Sequence, residues 1–130
     1  MNQEFDGQLA PCPTSPNCVS SLASDDLHRV EPLILTAPID SCWENITKAI
    51  KAIPRTLLID KTPRYLHVEV RSFLFRFVDH LELAASADNH RVDIRSASVT
   101  GHSDMGVNRK RVEKIRKVLI EQGICTTRQK

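Results

Sequence analysis

Between Arg95 and Arg111 the chain concentrates more reactive side chains than core formation requires. Ser96, Ser98 and Ser103 bring hydroxyls, His102 an imidazole, Asp104 a carboxylate, Asn108 an amide, and Arg109 and Arg111 guanidinium groups. Gly101 and Gly106 bracket the loop in the middle. Such a corner could hold an anionic or polar ligand, or move a proton. Upstream, Asp79 shares the parity of Phe75, Phe77, Leu81 and Leu83, which predicts a carboxylate on an apolar face. Burial disfavours the charged form, so Asp79 needs a cation or several donors. Arg109 or Arg111 could supply the charge, and Ser96 and Ser98, of inward parity, the hydroxyls. The plainer account is a structural network tying a helix to a sheet. The sharper one is a small polar pocket with Asp79 as ligand anchor or base. The candidate ligand-binding residues are therefore Asp79, Ser96, Ser98, His102, Ser103, Asp104, Asn108, Arg109 and Arg111, and no catalytic residue is assigned.

Other chemistries find less support. The serines lack a nucleophile-elbow pattern. The two glycines are isolated, so no loop cradles a phosphate. No His or carboxylate cluster has metal-ligand spacing, and neither a metal nor a cofactor is expected. Cys12 and Cys18 flank Pro13-Thr14-Ser15-Pro16-Asn17, a wider gap than a metal pair uses. Plain thiols are the expectation for all four cysteines, with a structural or redox Cys12–Cys18 pair as the alternative. The net charge of +2 is too small for a general nucleic-acid binder. The surplus is local: the last helix holds Arg109, Lys110, Arg111, Lys114, Arg116 and Lys117 against Glu113 and Glu121. A solvated helix face explains that run, and a polyanion-binding face is its alternative.

The elements that must position these groups follow from patterning. At 130 residues, one domain is expected. Residues 1–29 read as an extended arm, because Pro11, Pro13 and Pro16 forbid a helix. Val30 to Thr36 reads as a strand, with Pro32 at an edge or at its start. Ser41 and Glu44 fit a capping box, and Trp43, Ile46, Thr47, Ile50 and Ile53 form a helical stripe ended by Pro54. Strands follow at Thr56 to Asp60, Tyr65 to Arg71, Phe75 to Leu83 and Arg91 to Ser98. Ser103 or Asp104 could cap a last helix with a stripe of Val112, Ile115, Val118 and Leu119, running to Gln122 before Gly123. One-sided polarity marks an antiparallel sheet covered on one face. The expected fold is α+β, a two-layer sandwich of about five antiparallel strands with two helices on one face, in the order β-α-β-β-β-β-α. The domain spans 30–124, followed by a frayed tail, 125–130. Its outward sheet face carries Glu69, Glu82 and Asp93 against Arg71, Arg76, Arg91 and Arg95, and is expected to be solvated. The first ten residues lack a signal-peptide pattern and no apolar run is long enough to span a bilayer, so a cytoplasmic location is the default.

Three segments resemble the domain of unknown function 1499 (DUF1499) family. Leu9 to Ser21, with the run Pro11-Cys12-Pro13-Thr14-Ser15-Pro16-Asn17-Cys18, is similar to its opening motif. Phe77-Val78-Asp79-His80-Leu81-Glu82-Leu83 resembles the central one. Arg95 to Ser98 with Ser103-Asp104-Met105-Gly106-Val107-Asn108-Arg109-Lys110-Arg111-Val112-Glu113 resembles the closing one. One departure is Val99, where the family usually shows Arg. The resemblance implies bacterial or plastid-type origin and no settled activity; some members carry membrane or export segments. The functional expectation is a small soluble domain that binds a small ligand or a protein through the Ser96–Arg111 corner. The alternatives are an enzyme using Asp79, His102 and Asp104, with Cys18 as a remote nucleophile, or a structural interaction module.

Overall fold

The structure, a computed structural model, describes residues 9–71, 77–99 and 106–126. Strands β1 (Cys18–Ser20) and β2 (Leu33–Leu35) lead into helix α1 (Ile39–Lys51). Then come β3 (Thr56–Thr62), β4 (Tyr65–Arg71), β5 (Val78–Ala85) and β6 (Arg91–Ser98), followed by α2 (Val107–Glu121) and β7 (Cys125–Thr126). The fold is α+β, and the sheet among the described residues has seven antiparallel strands rather than about five. Their order is β3-β4-β5-β6-β2-β7, with β1 beside β6 as well. β1 and β2 share one side of β6: Cys18 faces Ala97, and Leu33 faces Val92. The extra strands come from segments expected to be an arm and a tail.

The expected alternation holds on β4 and β6. Leu66, Val68 and Val70 of β4 join Leu81 and Leu83 of β5 and Val92 and Ile94 of β6 in one core. Ile39, Trp43, Ile46 and Ile50 of α1 and Val112, Ile115 and Leu119 of α2 complete it. Each fully buried aliphatic of this kind stabilises the fold by about 1.5–3 kcal/mol. Phe77 departs from its expected place. It precedes β5 rather than lying in it, so strand parity does not govern it, and it is 49% exposed. Phe75 lies outside the described residues.

Both helices start differently from expectation. α1 begins at Ile39 with Pro38 as N-cap, so Ser41 sits inside the first turn and bonds the Pro38 carbonyl instead of capping. Glu44 pairs with Lys61 of β3 at 2.7 Å. α2 is preceded by Gly106 at φ 79°, with no side-chain cap bond; Ser103 and Asp104 lie outside the described residues. A residue with a Cβ is disfavoured in that left-handed conformation, which explains the glycine. Pro32 marks the start of β2, which lies inside the sheet between β6 and β7.

The N-terminal segment is built into the molecule. Cys12 and Cys18 form a disulfide, overturning the expectation of plain thiols there; Cys42 and Cys125 are free and buried. Burial raises both free thiols, Cys125 to about 11. Leu9 packs with Tyr65 and Ala84, and Arg95 donates to the Pro11 carbonyl. The outward face is thus partly covered rather than wholly solvated. Asp93 there is buried, accepting from Ser21 Oγ at 2.8 Å and pairing with Arg91 at 3.2 Å.

Candidate functional site

Asp79 lies under α2. Alternation along β5 puts it on the core side with Leu81 and Leu83, and it is buried. Its carboxylate meets the Arg111 guanidinium at 2.8 Å. The same guanidinium donates to Asn108 Oδ1 at 2.9 Å and to Ser96 Oγ at 3.1 Å. Ser96 in turn donates to Asn108 Oδ1 at 2.6 Å. The Asn108 amide donates to Ser98 Oγ at 3.0 Å and to the Asn17 carbonyl at 3.2 Å. Asn17 closes the set by donating to the Ser98 carbonyl at 2.9 Å. Helix spacing explains the α2 members: Asn108 and Arg111 are three residues apart and share a face.

This is a chain of satisfied bonds joining β5, β6, α2 and the disulfide loop. It unites Asp79, Ser96, Ser98, Asn108 and Arg111 of the expected residues. Arg109 stands apart: it donates to the carbonyls of Arg29 (2.7 Å), Leu27 (2.9 Å) and Asp26 (3.3 Å), clamping α2 to the N-terminal segment. His102, Ser103 and Asp104 lie outside the described residues. The Asp79 carboxylate is engaged by the Arg111 guanidinium. Cys18 is tied up in the disulfide and cannot serve as a thiolate nucleophile in this state. Among the described residues, no three His, Cys, Asp or Glu side chains are grouped to hold a metal ion.

A second feature adjoins this lock. A cavity of about 530 Å³ runs between the end of α1 and α2. Ile50 and Ile53 form one wall, Val107, Ile115 and Val118 the other, and Val70 lies at the end of β4. Arg55, Arg71, Arg111 and Lys114 also line it, and no acidic residue does among those described. Arg111 therefore belongs to both the lock and the cavity. Its position follows from α2: Val107, Arg111, Lys114, Val118 and Gln122 fall at helical spacing, on a stripe beside the core-facing Val112, Ile115 and Leu119. Sequence reasoning assigned Val118 to the core and missed this neighbouring stripe. It also missed Asn17, which sits in a proline-rich segment with no periodicity.

The outward face holds a further polar group. His67 Nε2 and His80 Nδ1 are 2.8 Å apart on neighbouring strands, so one donates and the other accepts. Burial, more than its neighbours, pulls the His67 imidazole below the usual histidine range. Tyr65 donates to Glu82, which also pairs with Arg95 at 3.4 Å. Burial and Glu82 raise the Tyr65 phenol well above its ordinary value. No described helix is long and apolar enough to cross a membrane.

A family model described as a protein of unknown function, DUF1499, matches residues 8–119. No curated protein matches the chain.

Proposed function

The chain belongs to the DUF1499 family, and from that premise we propose that it is a small-ligand-binding domain whose ligand enters the cavity between α1 and α2. The observation that carries this reading is the cavity itself. Its volume falls inside the range of roughly 300–1,000 Å³ that small-molecule sites occupy, and apolar walls meet a few polar groups there. The Ser96–Arg111 corner then has a supporting role. Asp79, Ser96 and Asn108 fix the Arg111 guanidinium at the cavity edge, so a ligand meets a donor already held in place.

The disulfide supports a working environment that is oxidising rather than the reducing cytoplasm, since such bonds persist mainly outside it. Binding without catalysis fits the described groups best: Asp79 is neutralised by Arg111 and no nucleophile is activated.

Native mass spectrometry of protein purified from its own cell tests the reading. A small-molecule adduct that disappears in Val118→Trp, where the indole fills the cavity, is the expected result. An adduct unaffected by that substitution, or none in protein that binds no apolar probe in titration, overturns it.

A second reading rests on the sheet edge. Leu57, Leu58 and Ile59 of β3 are 56%, 40% and 44% exposed on an outer strand. Among the described residues no strand lies beyond β3, and such an edge can accept a strand from a partner protein.

A further inference from the structure

We infer that His67 and His80, on the sheet face turned away from the helices, form a binding site for a divalent transition metal of the imidazole-preferring kind, Cu²⁺ or Zn²⁺. The site lies across the sheet from the cavity between α1 and α2 and does not depend on it. Three observations support it.

The first is convergence. His67 Nε2 and His80 Nδ1 stand 2.8 Å apart, with ring centroids at 5.0 Å and planes inclined by 45°. Two ring nitrogens aimed at one point can share a proton or share a metal ion. An ion held tetrahedrally by two imidazoles at roughly 2.0–2.1 Å needs its nitrogens about 3.3 Å apart. The rings must therefore part by only about 0.5 Å. The proton now between them moves to the far nitrogen of its own ring, so a neutral pair takes up the ion without releasing a proton.

The second is register. The pairing of β4 with β5 sets His67 opposite Glu82 and Glu69 opposite His80. The imidazoles thus occupy one diagonal of a square and the carboxylates the other. Asp60 of β3 faces His67 from its other side. Glu69 lies 3.5 Å from Arg71 and Glu82 3.4 Å from Arg95, so both carboxylates already have a cation and stand beside the ion rather than on it. Carboxylates in that position orient metal-bound imidazoles and strengthen their hold. No set of three His, Cys, Asp or Glu donors is grouped among the described residues, so water fills the remaining positions on the metal.

The third is access and selectivity. β6 sets Ala97 opposite His80, a methyl group where a longer side chain would cover the pair. His67 and His80 are themselves half-buried, which leaves one side open to water. The two free thiols, Cys42 and Cys125, belong to the core on the helix side, so no thiolate competes at this face. Imidazole donors without thiolate suit Cu²⁺ and Zn²⁺, whereas Mg²⁺ prefers oxygen. Sequence spacing carries no hint of the site, because the histidines are 13 residues apart and meet only through the β4–β5 register.

Calorimetric titration of the intact, untagged, disulfide-bonded protein with Cu²⁺, Zn²⁺ and Mg²⁺ tests the site. Cu²⁺ should bind most tightly, Zn²⁺ more weakly and Mg²⁺ not measurably. His67→Gln and His80→Gln should each weaken Zn²⁺ about tenfold or more, while His90→Gln, just before β6, should change nothing. Electron paramagnetic resonance of the Cu²⁺ complex should show two imidazole nitrogens in the parent protein and one in either variant. Circular dichroism establishes that each variant is folded. Cu²⁺ and Zn²⁺ binding undiminished in the His67→Gln, His80→Gln double variant would put the metal elsewhere and overturn the assignment. Folded parent protein that takes up neither ion would overturn it as well.

Discussion

The Arg111 guanidinium touches the Asp79 carboxylate at 2.8 Å and the Asn108 side-chain oxygen at 2.9 Å, so one cation joins the fifth strand to the second helix. Both partners of the ion pair are largely shielded, at 14% and 8% side-chain exposure. A pair in that setting contributes little net stability against an apolar substitute, yet breaking it is costly.

Asp79→Asn should therefore destabilise the protein by about 3 kcal/mol, because Arg111 is left shielded without its counter-charge. The double variant Asp79→Leu with Arg111→Met should recover most of that loss. Urea unfolding of the three proteins measures it. An Asp79→Asn protein as stable as its parent would remove the lock from the account.

Asn108 is fully buried and meets Ser96, Ser98, Asn17 and Arg111. Asn108→Ala strips those groups of a shared partner, and about 2 kcal/mol should be lost. Chemical denaturation reads the loss. A change under half a kcal/mol would show that water replaces the amide freely.

The disulfide loop carries Asn17 against β6. Cys12→Ser should lower stability by about 2 kcal/mol. It should also speed hydrogen exchange at the Ser98 amide, which bonds the Asn17 carbonyl at 2.9 Å. Exchange at Leu81, which pairs with Val68 and Ser96 deep in the sheet, should move with global stability alone. Unchanged Ser98 protection would mean that β1 holds the loop without the sulfur bridge.

Two histidines should tilt stability with pH in opposite senses. His28 Nε2 reaches the Ser15 carbonyl at 2.9 Å and Nδ1 the Asp25 carboxylate at 2.6 Å. Both partners accept, so the doubly protonated ring fits best. The Ser15 bond and Asp25 raise His28 above its ordinary value. Its contribution is thus complete below about pH 6.5 and fades as pH rises through the folded value. His67, lowered by burial, contributes above that pH and loses its part as pH falls. His28→Gln should flatten the alkaline side of the stability profile and His67→Gln the acid side. Proton NMR of the ring resonances checks the two directions, and a His28 that titrates below 6.5 would contradict the first.

Much of the scaffold was readable before any coordinates. β4 and β6 match their expected bounds because strict alternation over seven or eight residues has one interpretation. Asp79 stood out as a carboxylate at an apolar parity. Other parts depend on distant segments. Cys18–Ser20 is too short to show a period, and it becomes a strand because Ala97, Ser96 and Arg95 lie ready to pair with it. The two residues of β7 are a strand through Ile34 and Leu35. The start of α1 was misplaced because Ser41 suits a cap chemically, while the chain already turns helical at Ile39, after an extended Pro38. The cavity had no signature at all, since it depends on how far apart two helices stand and not on either helix alone.

The pairing of Cys18 with Ala97 has a consequence for how the polypeptide is made. The ribosome releases β1 long before β6 exists, so β1 must wait for its partner strand to emerge. The Cys12–Cys18 bridge spans a sequence separation of 6 and needs no distant partner. An oxidant acting on the nascent chain could close it early, delivering Asn17 preshaped to a sheet that is completed around it afterwards.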